Sequence, residues 1–167
     1  MILKKLNKNF YINFILIVSI FLLDRITKLY VIYLSDKSKD LEIFSSKFLN
    51  INLIWNEGIA FGLLSFNQNS LYNLITLIIL VVITFVLLMI IKSDGIKRYG
   101  LLIIFGGAVG NLFDRIFYKA VPDFIDFHIG EFHWFIFNFA DIFITIGVFF
   151  MIFFELIGNN KDNYEKI

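Results

Sequence analysis

Gly106–Phe124, GGAVGNLFDRIFYKAVPDF, begins as an apolar helical run and then sets Asn111, Asp114 and Arg115 inside it. A further carboxylate, Asp123, stands just past the run. A charged side chain in hydrocarbon costs roughly 2.5–3.5 kcal/mol on insertion scales unless it is paired or hydrated. These charges therefore need partners or water, and the rest of the chain shows where they are to be found.

The surroundings are those of a membrane protein. Of the 167 residues, 59% are hydrophobic and only 17% charged, against about half and about a quarter in a soluble domain. The mean hydropathy is +0.80. Four apolar runs reach the length of about 20 residues that a helix needs to cross a bilayer: about 10–34, 71–91, 99–118 and 138–157. The first is interrupted by Asp24, Arg25 and Lys28, the second carries no charge, the third holds the opening stretch, and the fourth includes Asp141 and Glu155. Lys4, Lys5 and Lys8 ahead of the first run resemble the start of a signal peptide. That run is long, however, and no small-residue cleavage site follows, so it reads as an uncleaved span. The fold class expected is an α-helical membrane protein of four spans, one domain over residues 1–167, without internal repeats or an interdomain linker.

The basic residues set the orientation. Lys4, Lys5 and Lys8, then Lys92, Lys97 and Arg98, then Lys161 and Lys166 place both termini and the middle loop in the cytoplasm by the positive-inside rule. Lys37, Lys39 and Lys47 pull weakly the other way. Residues 35–70 and 119–137 then face outward, on one side of the membrane. In the first of these segments, FLNINLIWN at 48–56 alternates Leu49, Ile51, Leu53 and Trp55 against Asn50, Asn52 and Asn56, a period-two pattern that predicts a strand. It suits a small β-rich cradle on the membrane surface, with Trp55 at headgroup level. DFIDFHI at 123–129 is also expected to be extended, with a turn at Gly130. Pro122, the only proline, biases Val121 away from helix and is expected to end the helical path.

The candidate chemistry lies in the polar groups of the spans. Asp24 and Lys28, four apart, share a helix face and can pair. Asn111, Asp114 and Arg115 share a face of the third span, and Asn138 and Asp141 a face of the fourth. With this topology they converge on the outer half of the membrane. Asp–Lys and Asp–Arg pairs commonly hold helices together, and for Asp24–Lys28 and Asp114–Arg115 that reading stands beside any functional one. Asp123 and Asp141 outnumber the basic partners near them, since only Lys119 is close in sequence. Two such carboxylates sharing a proton form an acid/base pair: the ionised one takes a proton from water, and the protonated one donates to a carbonyl oxygen. That chemistry needs neither metal nor cofactor.

Other chemistries fit less well. There is no cysteine, hence no thiolate nucleophile, Cys-ligated metal or disulfide. HIGEFH at 128–133 lacks the helical spacing of a HExxH zinc site, so His128 and His133 read as surface or interfacial residues. No serine stands in a Gly-flanked nucleophile motif. The net charge of +1 gives no pull on nucleic acid. A proton or cation relay would spread titratable groups through the membrane depth, whereas here they gather toward one side.

DRITK at 24–28, NEGIAFG at 56–62, GNLFDR at 110–115, VPDF at 121–124 and FNFAD at 137–141 occur in order along nearly the whole chain. On these motifs the sequence resembles lipoprotein signal peptidase (signal peptidase II), a family of bacterial membrane aspartyl peptidases. The resemblance implies cleavage of diacylglyceryl-modified prolipoproteins on the N-terminal side of the lipidated cysteine. It also implies residence in the cytoplasmic (inner) membrane, with the site on the outer face. By motif position the catalytic pair falls on Asp123 and Asp141. Asn111, Asp114, Arg115 and Asn138 match residues lining the family's site, and Asp24, Lys28, Asn56 and Gly58 match positions that support the site or the substrate lipid. Phe135 and Pro122 depart from the family pattern without removing a reactive group. Between Asp114 and Asp123 as first carboxylate, Asp123 is preferred because Arg115 can neutralise Asp114. One chain supplies the whole proposed site, so a monomer is expected, with membrane lipid and lipidated substrate as partners.

Overall fold

The computed structural model describes residues 8–38, 42–57 and 68–164. Long apolar runs free of internal proline become helices: α1 (Lys8–Ser38), α2 (Gln68–Lys92), α3 (Gly95–Tyr118) and α4 (Phe139–Tyr164). Between and beside them run β1 (Glu42–Ser45), β2 (Leu49–Asn56), β3 (Val121–Ile129) and β4 (Phe132–Phe137). The strands form one antiparallel sheet in the order β1-β2-β3-β4. Among the described residues, α2, α3 and α4 contain stretches long and apolar enough to cross a membrane. The 31 residues of α1 span about 46 Å, but Asp24, Arg25 and Lys28 interrupt its apolar sequence.

Burial is reversed from that of a soluble protein. Phe85, Ile26 and Phe149 are 63%, 62% and 68% exposed, whereas Asp24, Lys28 and Asp114 are fully buried. Water would drive the first set in and leave the second out. Hydrocarbon reverses both preferences.

Helix α3 packs against α1, α2 and α4, and its glycines set how closely. A β-carbon at Gly107 would lie 2.6 Å from the Ala140 carbonyl oxygen of α4, and one at Gly110 would lie 2.6 Å from the Asp24 carboxylate of α1. Small residues thus bring the polar groups of three helices within reach of one another. Gly107→Ala meets backbone, which cannot swing aside. It is expected to lower stability by about 1–3 kcal/mol, read as a fall in thermal midpoint in detergent. An unchanged midpoint would mean that the α3–α4 contact is looser than described.

The sheet sits where the ends of α1 and α3 meet the start of α4. Leu53, Phe124 and Ile125 pack on Val31 of α1, with Phe139 and Ile142 of α4 alongside. The strand predicted from the alternation is β2, but a register irregularity between Ile51 and Ile54 breaks its period. Leu53 is buried, whereas Trp55 is exposed and packs beside the Tyr118 ring at 5.8 Å between centroids. The extended stretch after Asp123 is β3, and Gly130, at φ +59°, makes the turn into β4.

Pro122 does not stop the helix. Helix α3 ends at Tyr118 with Lys119 in the left-handed region (φ 60°), and Pro122 already lies in β3, opposite Trp55. A proline is tolerated in a strand where its missing N–H leaves no ladder bond unmade. The pairing of β3 with β4 begins only at Ile125, so Pro122 has a neighbouring strand on one side alone.

Candidate active site

The polar side chains converge where α1, α3, the start of α4 and the sheet meet. Lys28 of α1 is fully buried and uses its three ammonium protons on three acceptors: Asp24 Oδ2 at 2.9 Å, Asn111 Oδ1 at 2.8 Å and Asp114 Oδ2 at 2.7 Å. The other oxygen of Asp114 accepts from Arg25 Nη1 at 2.5 Å. The other oxygen of Asp24 accepts from the backbone N–H of Ala140 at 3.0 Å. Two carboxylates and two cations thus balance within one buried cluster, the condition under which charge is tolerated in a low-dielectric interior.

Asn111 carries the network onward. Its carbonyl accepts from Lys28, and its Nδ2 donates to Asp141 Oδ1 at 2.8 Å. At the start of α4, Asn138 and Asp141 cap the helix reciprocally. The Asp141 backbone N–H donates to Asn138 Oδ1 at 3.2 Å, and the Asn138 backbone N–H donates to Asp141 Oδ2 at 3.1 Å. This is the capping-box arrangement, with Asn and Asp in the two roles. The amide Nδ2 of Asn138 then donates to Asp123 Oδ1 at 2.6 Å, and Asn56 Nδ2 of β2 donates to Asp123 Oδ2 at 2.8 Å. A fully buried asparagine therefore links Asp123 on β3 to Asp141 on α4.

Unlike Asp24 and Asp114, neither Asp123 nor Asp141 has an ion-pair partner among the described residues. Asp123 is 5% exposed. Burial, the largest influence, pushes its carboxyl up to about 6; the Asn56 and Asn138 hydrogen bonds oppose that rise, the nearby Asp141 adds to it, and Lys28 opposes it weakly. Asp141 also forms part of the wall of a cleft of about 460 Å³, lined otherwise by Phe127, Trp134, Phe135, Phe137 and the apolar face of α4.

One expectation needs correction. Arg115 does not neutralise Asp114. Adjacent residues on a helix point about 100° apart and do not face each other. Arg115 instead lies over the Tyr72 ring of α2, 5.9 Å from its centroid, and its carbonyl accepts from the Tyr72 hydroxyl at 2.7 Å. The neutralising cations are Lys28 and Arg25 of α1. Arg25 was visible in the sequence only as a charge three residues from Lys28, and that spacing places both on neighbouring positions of one helix surface. Asp24, Lys28, Asn56, Asn111, Asp114, Asn138, Asp123 and Asp141 do come together, whereas Gly58 lies outside the described residues.

A helical bundle encloses the charged cluster, with two further carboxylates at its sheet-covered end. The family profile described as Signal peptidase (SPase) II matches residues 16–157. A lipoprotein signal peptidase of Pelagibacter ubique is 52% identical over 165 residues, which cover 98% of this chain and 99% of that one. One of Aquifex aeolicus is 42% identical over 150 residues, covering 88% and 87%. A bacterial membrane enzyme solved at 2.3 Å by the in meso method superposes with a TM-score of 0.65 at 31% identity, covering 93% of this chain and 91% of its own. The chain belongs to the signal peptidase II family of aspartic peptidases.

Proposed function

We propose that the chain removes signal peptides from diacylglyceryl-modified prolipoproteins by cutting on the N-terminal side of the lipidated cysteine, with Asp123 and Asp141 as its catalytic pair. The observation that carries the assignment is the Asn138 bridge: its buried side chain donates to the Asp123 carboxylate and its backbone N–H to the Asp141 carboxylate, and both carboxylates lack the cations that neutralise Asp24 and Asp114.

The two carboxylates take different roles. Asp123, raised to about 6, holds its proton to higher pH than an ordinary carboxyl and is the one that donates it to the scissile carbonyl oxygen. Asp141 accepts from Asn111 and from the Asn138 backbone in the first turn of α4, where helix N–H groups suit an anion. It takes the proton from the attacking water. The tetrahedral intermediate then collapses as the amine leaves with a proton from the pair. Asn56, Asn111 and Asn138 orient the carboxylates, while Lys28, Asp24, Asp114 and Arg25 hold α1 and α3 in place beneath them.

On this reading α1 is a fourth span, its charges enclosed against α3, with both termini in the cytoplasm and the sheet on the outer face. Lys92, Lys97 and Arg98 at the α2–α3 connection support that orientation. The substrate's acyl chains stay in the bilayer, and its scissile bond meets the pair at the membrane boundary. The apolar cleft beside Asp141 suits a lipid chain or an apolar signal-peptide segment. All these groups come from one chain, which supports action as a monomer. Leu53 of β2 is committed to the core, so any contact of this strand with substrate falls to the exposed Ile54 and Trp55.

Purified protein in detergent is expected to cleave a diacylglyceryl prolipoprotein and to process the same chain without its lipid at least about tenfold more slowly, because remote binding energy is used at the reacting bond. Equal rates on both substrates would remove the lipid-dependent part of the assignment. No cleavage of either would remove the whole.

A further inference from the structure

The histidines at the ends of HIGEFH fail the spacing test for a helical zinc motif, but they do not lie on a helix. They face each other across the β3–β4 hairpin as register partners, with ring centroids 4.9 Å apart. Asp126, two residues before His128 on β3, is 2% exposed, and both of its oxygens approach His133 Nδ1, at 2.9 and 3.0 Å. One ligand atom from each of Asp126, His128 and His133 can be chosen so that all lie within 4.8 Å of one another. The ligand atoms of a tetrahedral zinc stand about 3.3 Å apart, given bonds of about 2.0–2.1 Å.

A second, independent observation points the same way. His128 Nδ1 is buried and makes no hydrogen bond among the described residues. A buried ring nitrogen without a partner carries a desolvation cost that a bound ion removes. The remaining contact of Asp126, from Asn50 Nδ2 at 3.4 Å, is the kind of outer hydrogen bond that orients a ligating carboxylate.

We propose that Asp126, His128 and His133 form a binding site for a divalent transition-metal ion, zinc by preference, that clamps the β3–β4 hairpin. Two imidazoles and one carboxylate suit zinc in a tetrahedral site whose fourth position is open to water. The site stands apart from the Asp123–Asp141 pair: Asp123 pairs with Ile54 of β2, whereas the three ligands lie farther along the hairpin. It belongs to the sheet and not to the cleavage chemistry.

The test uses the full-length protein in detergent, stripped with a chelator and titrated calorimetrically with zinc chloride. One equivalent is expected to bind and to raise the thermal midpoint by mass action. His133→Gln, at a half-exposed position, and His128→Gln are each expected to weaken binding by more than the roughly 10–100-fold typical of losing an outer-shell partner. The Asp123→Asn/Asp141→Asn double variant should bind zinc like the unaltered protein. Failure to bind one equivalent overturns the proposal, as does binding that survives both histidine substitutions or vanishes in the double aspartate variant. Because zinc uptake is read without substrate, its failure leaves the peptidase assignment untouched, and the converse also holds.

Discussion

Asp123→Asn and Asp141→Asn are each expected to lower kcat/KM on a diacylglyceryl prolipoprotein by about 10²–10⁴-fold, the contribution typical of a positioned acid or base. The protein should remain folded, because asparagine keeps the shape of the side chain. With Asp123 at about 6, the rate of the unaltered enzyme should fall on the alkaline side as its proton is lost. That limb reports on the pair, not on one residue. The stability consequence runs in a definite direction. A carboxyl whose folded value is raised from 3.8 to about 6 binds its proton more tightly in the folded chain. Its contribution is therefore full below about pH 4 and is lost as pH rises through about 6. At about 1.4 kcal/mol for each unit, the loss is of order 3 kcal/mol. Asp123→Asn should thus flatten the fall in thermal midpoint between pH 4 and 7. A variant at either position that retains activity would sink the dyad, and an unchanged pH slope in Asp123→Asn would sink the acid's assignment.

The second large effect lies beneath the pair. Lys28→Met removes the cation that three acceptors share and leaves Asp24 and part of Asp114 buried without compensation. Breaking a buried ion pair by removing one partner costs about 3–5 kcal/mol. For a chain of this size that is a fall of about 10 °C in thermal midpoint. Adding Asp24→Asn to Lys28→Met restores charge balance while leaving the Arg25–Asp114 pair intact, and should recover a large part of the loss. A midpoint that barely moves in Lys28→Met, or a double variant worse than the single, would show that the cluster is not held by charge balance. Activity should fall with stability here, since Asn111 connects this cluster to Asp141.

Much of this was legible along the chain because membrane helices advertise themselves. Hydrocarbon demands long apolar runs, and each of the four expected runs falls on a helix, with α1 running four and α4 seven residues farther at the C-terminal end. Charges inside such runs are costly enough to mark a site. What misled were inferences that used sequence distance where helix or strand geometry governs. Arg115 follows Asp114 directly, yet consecutive helical residues point apart, so the neutralising cations come from α1. The alternation from Leu49 to Trp55 predicted one continuous face, and a local irregularity in the β2–β3 pairing interrupts its period. Pro122 looked like a helix stop, but the stop is Lys119 in a left-handed conformation.

His128 and His133 make the same point from the other side. Tested against helical spacing they are unrelated, but on a hairpin turning at Gly130 they are cross-strand partners. No linear motif encodes that, because the pairing depends on where the turn falls.

Composition, the spacing of apolar runs and five short motifs were enough to determine that this is a helical membrane protein of the signal peptidase II family, and to nominate Asp123 and Asp141 as its candidate pair. Those properties are local: each depends on a side chain's own solvation cost and on the period of its own element. Which charge meets which was decided only in three dimensions. Gly107 and Gly110 let α1, α3 and α4 approach closely enough for Lys28 to reach two carboxylates, and Asn138 caps α4 while holding Asp123 from a strand fifteen residues earlier. Such contacts depend on packing distances between elements, and these are settled when the helices close.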